Sequence, residues 1–86
     1  MESHVYQMRQ MNDKDLADHL RSLDYMPADI DKDNDLWEEH KIRTDEAGNR
    51  FYHVQHRNRK TDEVSYSYDA FTWDELMGDL KKEKKL

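Results

Sequence analysis

Between Leu36 and Phe71 the chain alternates apolar with polar residues in three segments, and clusters of turn-forming residues separate them. A period of two marks strands that bury one face, and connections this short join only antiparallel neighbours. The pattern predicts a three-stranded antiparallel meander over about residues 36–69. Its first strand begins at Leu36 and ends near Arg43. Asp45-Glu-Ala-Gly-Asn49 then supplies turn chemistry, with Gly48 and Asn49 suited to positive φ. Arg50 to His56 forms the second strand, and Arg57 to Glu63 turns the chain back. Val64-Ser-Tyr-Ser-Tyr68 is the cleanest alternation. Tyr52, Val54, Tyr66 and Tyr68 thereby fall on one face of the sheet, and Trp37, Phe51, His53 and Arg57 on the other.

Helices are expected on either side of the meander. Asn12 with Asp15 three positions on makes an N-terminal cap, and Leu16, Leu20 and Leu23 follow at helical spacing, which predicts a helix over about 13–24. Thr72-Trp-Asp-Glu75 is a capping-box signature and opens a helix over about 73–84. Trp73, Leu76, Met77 and Leu80 line one side of it, and both helices are expected to cover the face that carries Tyr66 and Tyr68. Lys81, Lys82, Lys84 and Lys85 suit the carboxyl end of the helix dipole, and residues 81–86 read as a frayed basic tail. At the start, Val5, Gln7 and Arg9 alternate with Tyr6, Met8 and Gln10, favouring a short edge strand over about 4–9, although Val5, Met8 and Met11 also fit a helix. After Pro27, the run Asp29-Ile-Asp-Lys-Asp-Asn-Asp35 reads as an acidic loop. With no repeat and no dividing linker, residues 1–86 form one small α+β domain.

Composition limits what such a domain can do. Charged residues make up 40% of the chain and hydrophobic ones 35%, yet two Trp, five Tyr and two Phe supply enough bulk for an aromatic core. There is no cysteine, so disulfides, thiolate metal sites and thiol nucleophiles are excluded. No apolar run approaches the roughly 20 residues of a membrane-spanning helix. The opening MESHVYQMRQ lacks the basic start and apolar stretch of a secretory signal, so the expected location is cytoplasmic. The net charge of −6 disfavours nucleic acid and anionic membrane and favours a protein partner with a basic surface. Residues 50–60 are an exception, with Arg50, Arg57, Arg59 and Lys60 and no carboxylate.

Several chemistries can be tested by spacing. Taking Asp29 as the first position of a calcium loop puts Asp31, Asp33 and Asp35 at ligand positions, but Asn34 stands where a glycine must turn the chain and His40 where a bidentate glutamate is needed. Of the five histidines, His53 and His56 are three apart and point to opposite faces of a strand. Neither a metal nor a cofactor is therefore expected. Nor is catalysis: two glycines make no phosphate loop, and no serine sits in a strand-turn-helix elbow.

Two stretches resemble known families. Val5-Tyr-Gln-Met-Arg-Gln-Met-Asn-Asp-Lys-Asp-Leu16 is similar to the opening strand and helix of acetyl-coenzyme A-dependent N-acetyltransferases, but the Gly-rich pyrophosphate motif of that family is missing and cofactor binding does not carry over. Trp37-Glu-Glu-His-Lys41, the Gly48 turn and Phe51-Tyr52 resemble the first hairpin of WW domains, which implies a sheet that binds proline-rich peptides. The second Trp and the closing Pro of those domains have no counterpart here.

The expected function is that of an acidic protein-interaction module that regulates or inhibits a protein partner. Its candidate contacts are Trp37, Phe51, His53 and Arg57 on the sheet, and Asp29, Asp31, Asp33 and Asp35, whose carboxylates imitate a phosphate track. Aromatic and Arg side chains on an open sheet are what interface centres favour. Against this stands a purely structural role, with Trp37 and Phe51 covered by the N-terminal segment or the acidic loop. The alternative from another class is single-stranded nucleic acid held by Arg50, Arg57, Arg59 and Lys60.

Overall fold

Two capped helices and one hairpin turn set the frame. The Asn12 side chain accepts a hydrogen bond from the Asp15 amide at 2.8 Å, and Asp13 and Asp15 lie in the first turn of the helix Asp13–Ser22, α2. The Thr72 hydroxyl accepts from the Glu75 amide while the Glu75 carboxylate accepts from the Thr72 amide, closing a full capping box on the helix Trp73–Lys82, α3. Between them, Gly48 takes φ 88° in the turn that joins two strands, where a side chain would be strained.

The computed structural model describes residues 2–28, 30–31 and 35–86, without the side chains of residues 2, 3, 30 and 31. Among these the order is α1 (Glu2–Gln10), α2, β1 (Ile30–Asp31), β2 (Leu36–Thr44), β3 (Arg50–Asn58), β4 (Val64–Thr72) and α3. The fold is α+β. β2, β3 and β4 form the expected antiparallel meander, and β1 adds two residues to the outer edge of β2, giving the order β1-β2-β3-β4.

The core lies on one side of this sheet. Ile42 pairs with Tyr52 and His40 with Val54, so Ile42, Tyr52 and Val54 project together. They pack with Leu16, Ala17 and Leu20 of α2, Leu76 and Leu80 of α3, and Met8 and Met26. Tyr25, just past α2, donates its hydroxyl to Asp79 of α3 at 2.6 Å and packs edge-on to Tyr52. Burial, then the bond to Asp79, pushes the Tyr25 phenol far up, so it stays a neutral donor.

Several expectations are corrected. The N-terminal segment is the helix α1, not an edge strand. Met8 is fully buried in the core, and the Arg50 guanidinium donates to the carbonyls of Met8, Arg9 and Met11, giving the carboxyl end of the helix the cation it favours. Part of the supposed acidic loop is strand, because Ile30 and Asp31 pair with Glu38 and Trp37. β4 runs on to Thr72, past the expected end near residue 69. In the basic tail the Lys85 amide donates to the Leu80 carbonyl at 2.8 Å, and Leu86 packs against the core. Tyr66 and Tyr68 share the helix-side face, opposite His56 and Val54, yet are 58% and 43% exposed. The helical layer stops short of them.

Truncating Leu20 to Ala should cost about 2–5 kcal/mol, because its side chain is fully enclosed by the core. Removing the cap in Thr72→Ala should cost only about 1 kcal/mol. Urea unfolding of both variants checks the ranking.

Candidate functional site

The sheet face turned away from the core is the only broad surface that strand alternation leaves without a helical cover among the described residues. Trp37, Glu39, Lys41 and Arg43 of β2 stand there beside Arg57, Gln55, His53 and Phe51 of β3, in that register. Asp69 and Ser67 of β4 complete it, opposite His53 and Gln55. Neither Trp37 nor Phe51 belongs to the hydrophobic core, and both are half-buried.

Charge pairing holds this face together in place of apolar contact. Arg43 grips both oxygens of Asp69 at 3.1 and 2.7 Å, its guanidinium carbon lies 4.8 Å from the centre of the Phe51 ring, and His53 Nδ1 is 2.8 Å from Asp69. The bidentate Arg43 bond, with help from His53, holds the Asp69 carboxyl below its usual range despite some loss of solvation. Nearer Trp37, Glu39 accepts from Arg57 at 2.6 Å and from Gln55 at 2.8 Å. Burial alone would raise the Glu39 carboxyl; hydrogen bonds from Arg57 and Gln55 outweigh it and bring it down. Gln55 is only 6% exposed beneath these neighbours. The Trp37 Nε1 is buried without a well-aligned acceptor, although it lies close enough to Glu39 to favour the carboxylate.

Trp37, Phe51, His53 and Arg57 thus share one face, as alternation predicts. They form two clusters, Trp37 with Arg57 through Glu39 and Phe51 with His53 through Arg43 and Asp69. Asp29 and Asp33 lie outside the described residues, and of Asp31 the backbone alone is described. That backbone is the register partner of Trp37, which brings the acidic segment to the edge of the same face. Asp35 is exposed; its carboxylate lies 3.3 Å from Lys60 and its carbonyl accepts from the Arg59 amide.

Some groupings cannot be read from local spacing. Glu38 lies between His40 and His56 on the helix-side face, at 3.5 and 3.3 Å, and Tyr52 holds the other nitrogen of His40 at 2.9 Å. Burial pushes the Tyr52 phenol up to about 12, so it meets His40 as a neutral hydroxyl. Glu38 and His40 are two apart on β2, and His56 faces Glu38 across the sheet; the cross-strand register that joins them appears only in the fold. No three His, Asp or Glu groups among the described residues are placed to hold a metal ion. At the far end of the sheet a cleft of about 700 Å³ opens between the Gly48 turn, Phe51, Arg9 and Trp73. Its arginines are engaged, Arg9 over the Trp73 ring at 4.8 Å and Arg50 with Asp13 at 3.2 Å.

No family model, no curated protein and no solved structure matches this chain.

The depressed Asp69 carboxyl sets a pH dependence. The native state binds this proton more weakly than the unfolded chain, so the stabilisation is complete above the unfolded value, about pH 4, and is lost as pH falls through the lower native one. Asp69→Asn should therefore reduce stability at neutral pH and flatten the acid limb of the stability curve. Urea unfolding of both proteins from neutral to acid pH measures this.

Proposed function

We propose that this protein is a small cytoplasmic, non-enzymatic interaction module that regulates or inhibits a protein partner. It engages a basic surface of that partner through the corner where Trp37 meets the acidic segment. The observation that carries this reading is the register that sets the Asp31 backbone against Trp37 and Trp37 against Arg57. An aromatic anchor outside the core, an arginine and a run rich in carboxylates meet at one edge. Buried Trp and Arg dominate the energetics of many interfaces, and a charged rim steers the encounter. In sequence, the run leading to that corner carries Asp29, Asp31, Asp33 and Asp35, an alternating negative charge that a phosphate-binding surface would accept.

The nucleic-acid alternative draws less support from the same geometry. Arg50 is turned to the helix side and spent on α1 and Asp13, Arg57 is paired with Glu39 and Asp62, and Lys60 with Asp35. A strand-tracking groove needs cations aligned and available to phosphates. The WW-like reading loses its parallel as well, since Trp37 lies beside a charge lattice rather than in an aromatic groove.

Affinity capture from the native host tests the proposal, with wild-type, Trp37→Ala and Asp35→Asn proteins as bait and circular dichroism to confirm folding. A specific protein should be retained by the wild type and weakened roughly 30-fold by Trp37→Ala, as for a hot-spot anchor of about 2 kcal/mol. Its retention should weaken with salt. Capture indifferent to Trp37→Ala would count against this surface. Salt-dependent retention of a single-stranded oligonucleotide, lost in Arg57→Ala and Arg59→Ala, would replace the reading with nucleic-acid binding.

A further inference from the structure

The tyrosines on β4 lie where a core should be and are not covered. Tyr66 and Tyr68 occupy helix-side positions opposite His56 and Val54, their rings 5.5 Å apart, and the Tyr66 ring meets His56 edge-on at 5.7 Å. With Val64 they make up three of the five exposed large hydrophobic residues. β4 is also the outer strand of the sheet. Val64 to Tyr68 carries no charge in a chain that is 40% charged, and contains neither the lysine nor the proline that usually guards an edge. Shifts in pairing leave Ser65 and Ala70 as the extra residues of two bulges, with regular strand between them.

We infer that β4 pairs antiparallel with β4 of a second copy of this chain, joining the two sheets into one. Charge selects the register. Pairing centred on Tyr66 would set Glu63 of one copy against Asp69 of the other, and like charges directly opposite destabilise a sheet. Pairing centred on Ser67 sets Ser65 against Asp69, Ser67 against itself and Tyr66 against Tyr68 of the other copy. The two-fold axis then runs perpendicular to the sheet, so both helical layers lie on one side. Tyrosines from both copies fill the gap between those layers, which accounts for their position on a core face beyond the reach of their own helices. The antiparallel arrangement also brings the β3–β4 turn toward the Thr72 end of the other strand, where Asp74 lies in the first turn of α3 and Glu75 is held in its capping box. Glu63 and Asp62 share the β3–β4 turn, and Asp62 is already paired with Arg57 at 3.2 Å. The net charge of −6 on each copy opposes association, so the contact rests on the edge hydrogen bonds and the tyrosines. This surface is at the opposite edge of the sheet from the Trp37 corner and does not depend on what that corner binds.

Sedimentation velocity over a dilution series from micromolar to millimolar should show the mass rising from 10.5 kDa toward twice that value. Tyr66→Lys, an exposed change that adds an edge guard, should abolish the dimer and leave the circular dichroism spectrum unchanged. Because the natural chain has no cysteine, single substitutions report the register: Ser67→Cys should crosslink to a covalent dimer under mild oxidation, and faster than Tyr66→Cys. A chain that stays monomeric at every concentration, a dimer indifferent to Tyr66→Lys, or crosslinking confined to Tyr66→Cys would overturn the inference.

Discussion

The rest of the fold depends on the ring of Tyr52. It stands in the central strand, 6% exposed, with Ile42 opposite on β2 and Phe71 opposite on β4. Tyr25, His40 and Phe71 meet it edge to face at 6.0, 5.7 and 5.8 Å, a geometry that adds to the burial of area. Through Tyr25 and its bond to Asp79 the same ring fastens the end of α2 to α3. One side chain therefore ties both neighbouring strands and two helices to β3. In a chain this short, with a correspondingly small core, so much dependence on one position makes the fold asymmetric.

That asymmetry explains the second face. With most apolar side chains committed to one side, the other holds its strands together chiefly through polar side chains set around Trp37 and Phe51. Arg43 with Asp69 reaches from β2 across β3 to β4, Arg57 with Glu39 joins β3 to β2, and the buried Gln55 donates to the same Glu39. Exposed ion pairs contribute little one at a time. Here the geometry is bidentate or shared, so pairs reinforce one another. Trp37 and Phe51 are set into this lattice, Phe51 under Arg43 and Trp37 beside Glu39, while Met8 and Arg9 of α1 meet the core and Trp73.

How much of this was legible in the sequence follows from what kind of contact each feature needs. The meander, both capped helices and the shared face of Trp37, Phe51, His53 and Arg57 rest on local chemistry: a period of two, an Asn12 cap, a Thr72–Glu75 box. The N-terminal segment fits both periods, and only burial of Met8 and the reach of Arg50 to the end of α1 decide for a helix. Alternation named the side of the sheet on which Tyr66 and Tyr68 lie, but a period says nothing about how far a ten-residue α3 extends across it. The grouping of Glu38 with His40 and His56 depends on a pairing register between strands.

The two edges of the sheet are finished differently, and the difference is physical. The outer edge of β2 is capped by a two-residue strand within an acidic run, a short and charged ending of the kind that discourages further pairing. The outer edge of β4 is nine residues long, uncharged along its first half and aromatic on the core side. Its bulges confine regular pairing to the stretch around Tyr66 to Asp69 without charging it. An edge that is shortened by bulges but left apolar still offers backbone donors, acceptors and two tyrosines over the length of one short strand. Those are the requirements for a contact that is specific in register and limited to one neighbour, whereas a flat apolar edge of full length would add strands without end.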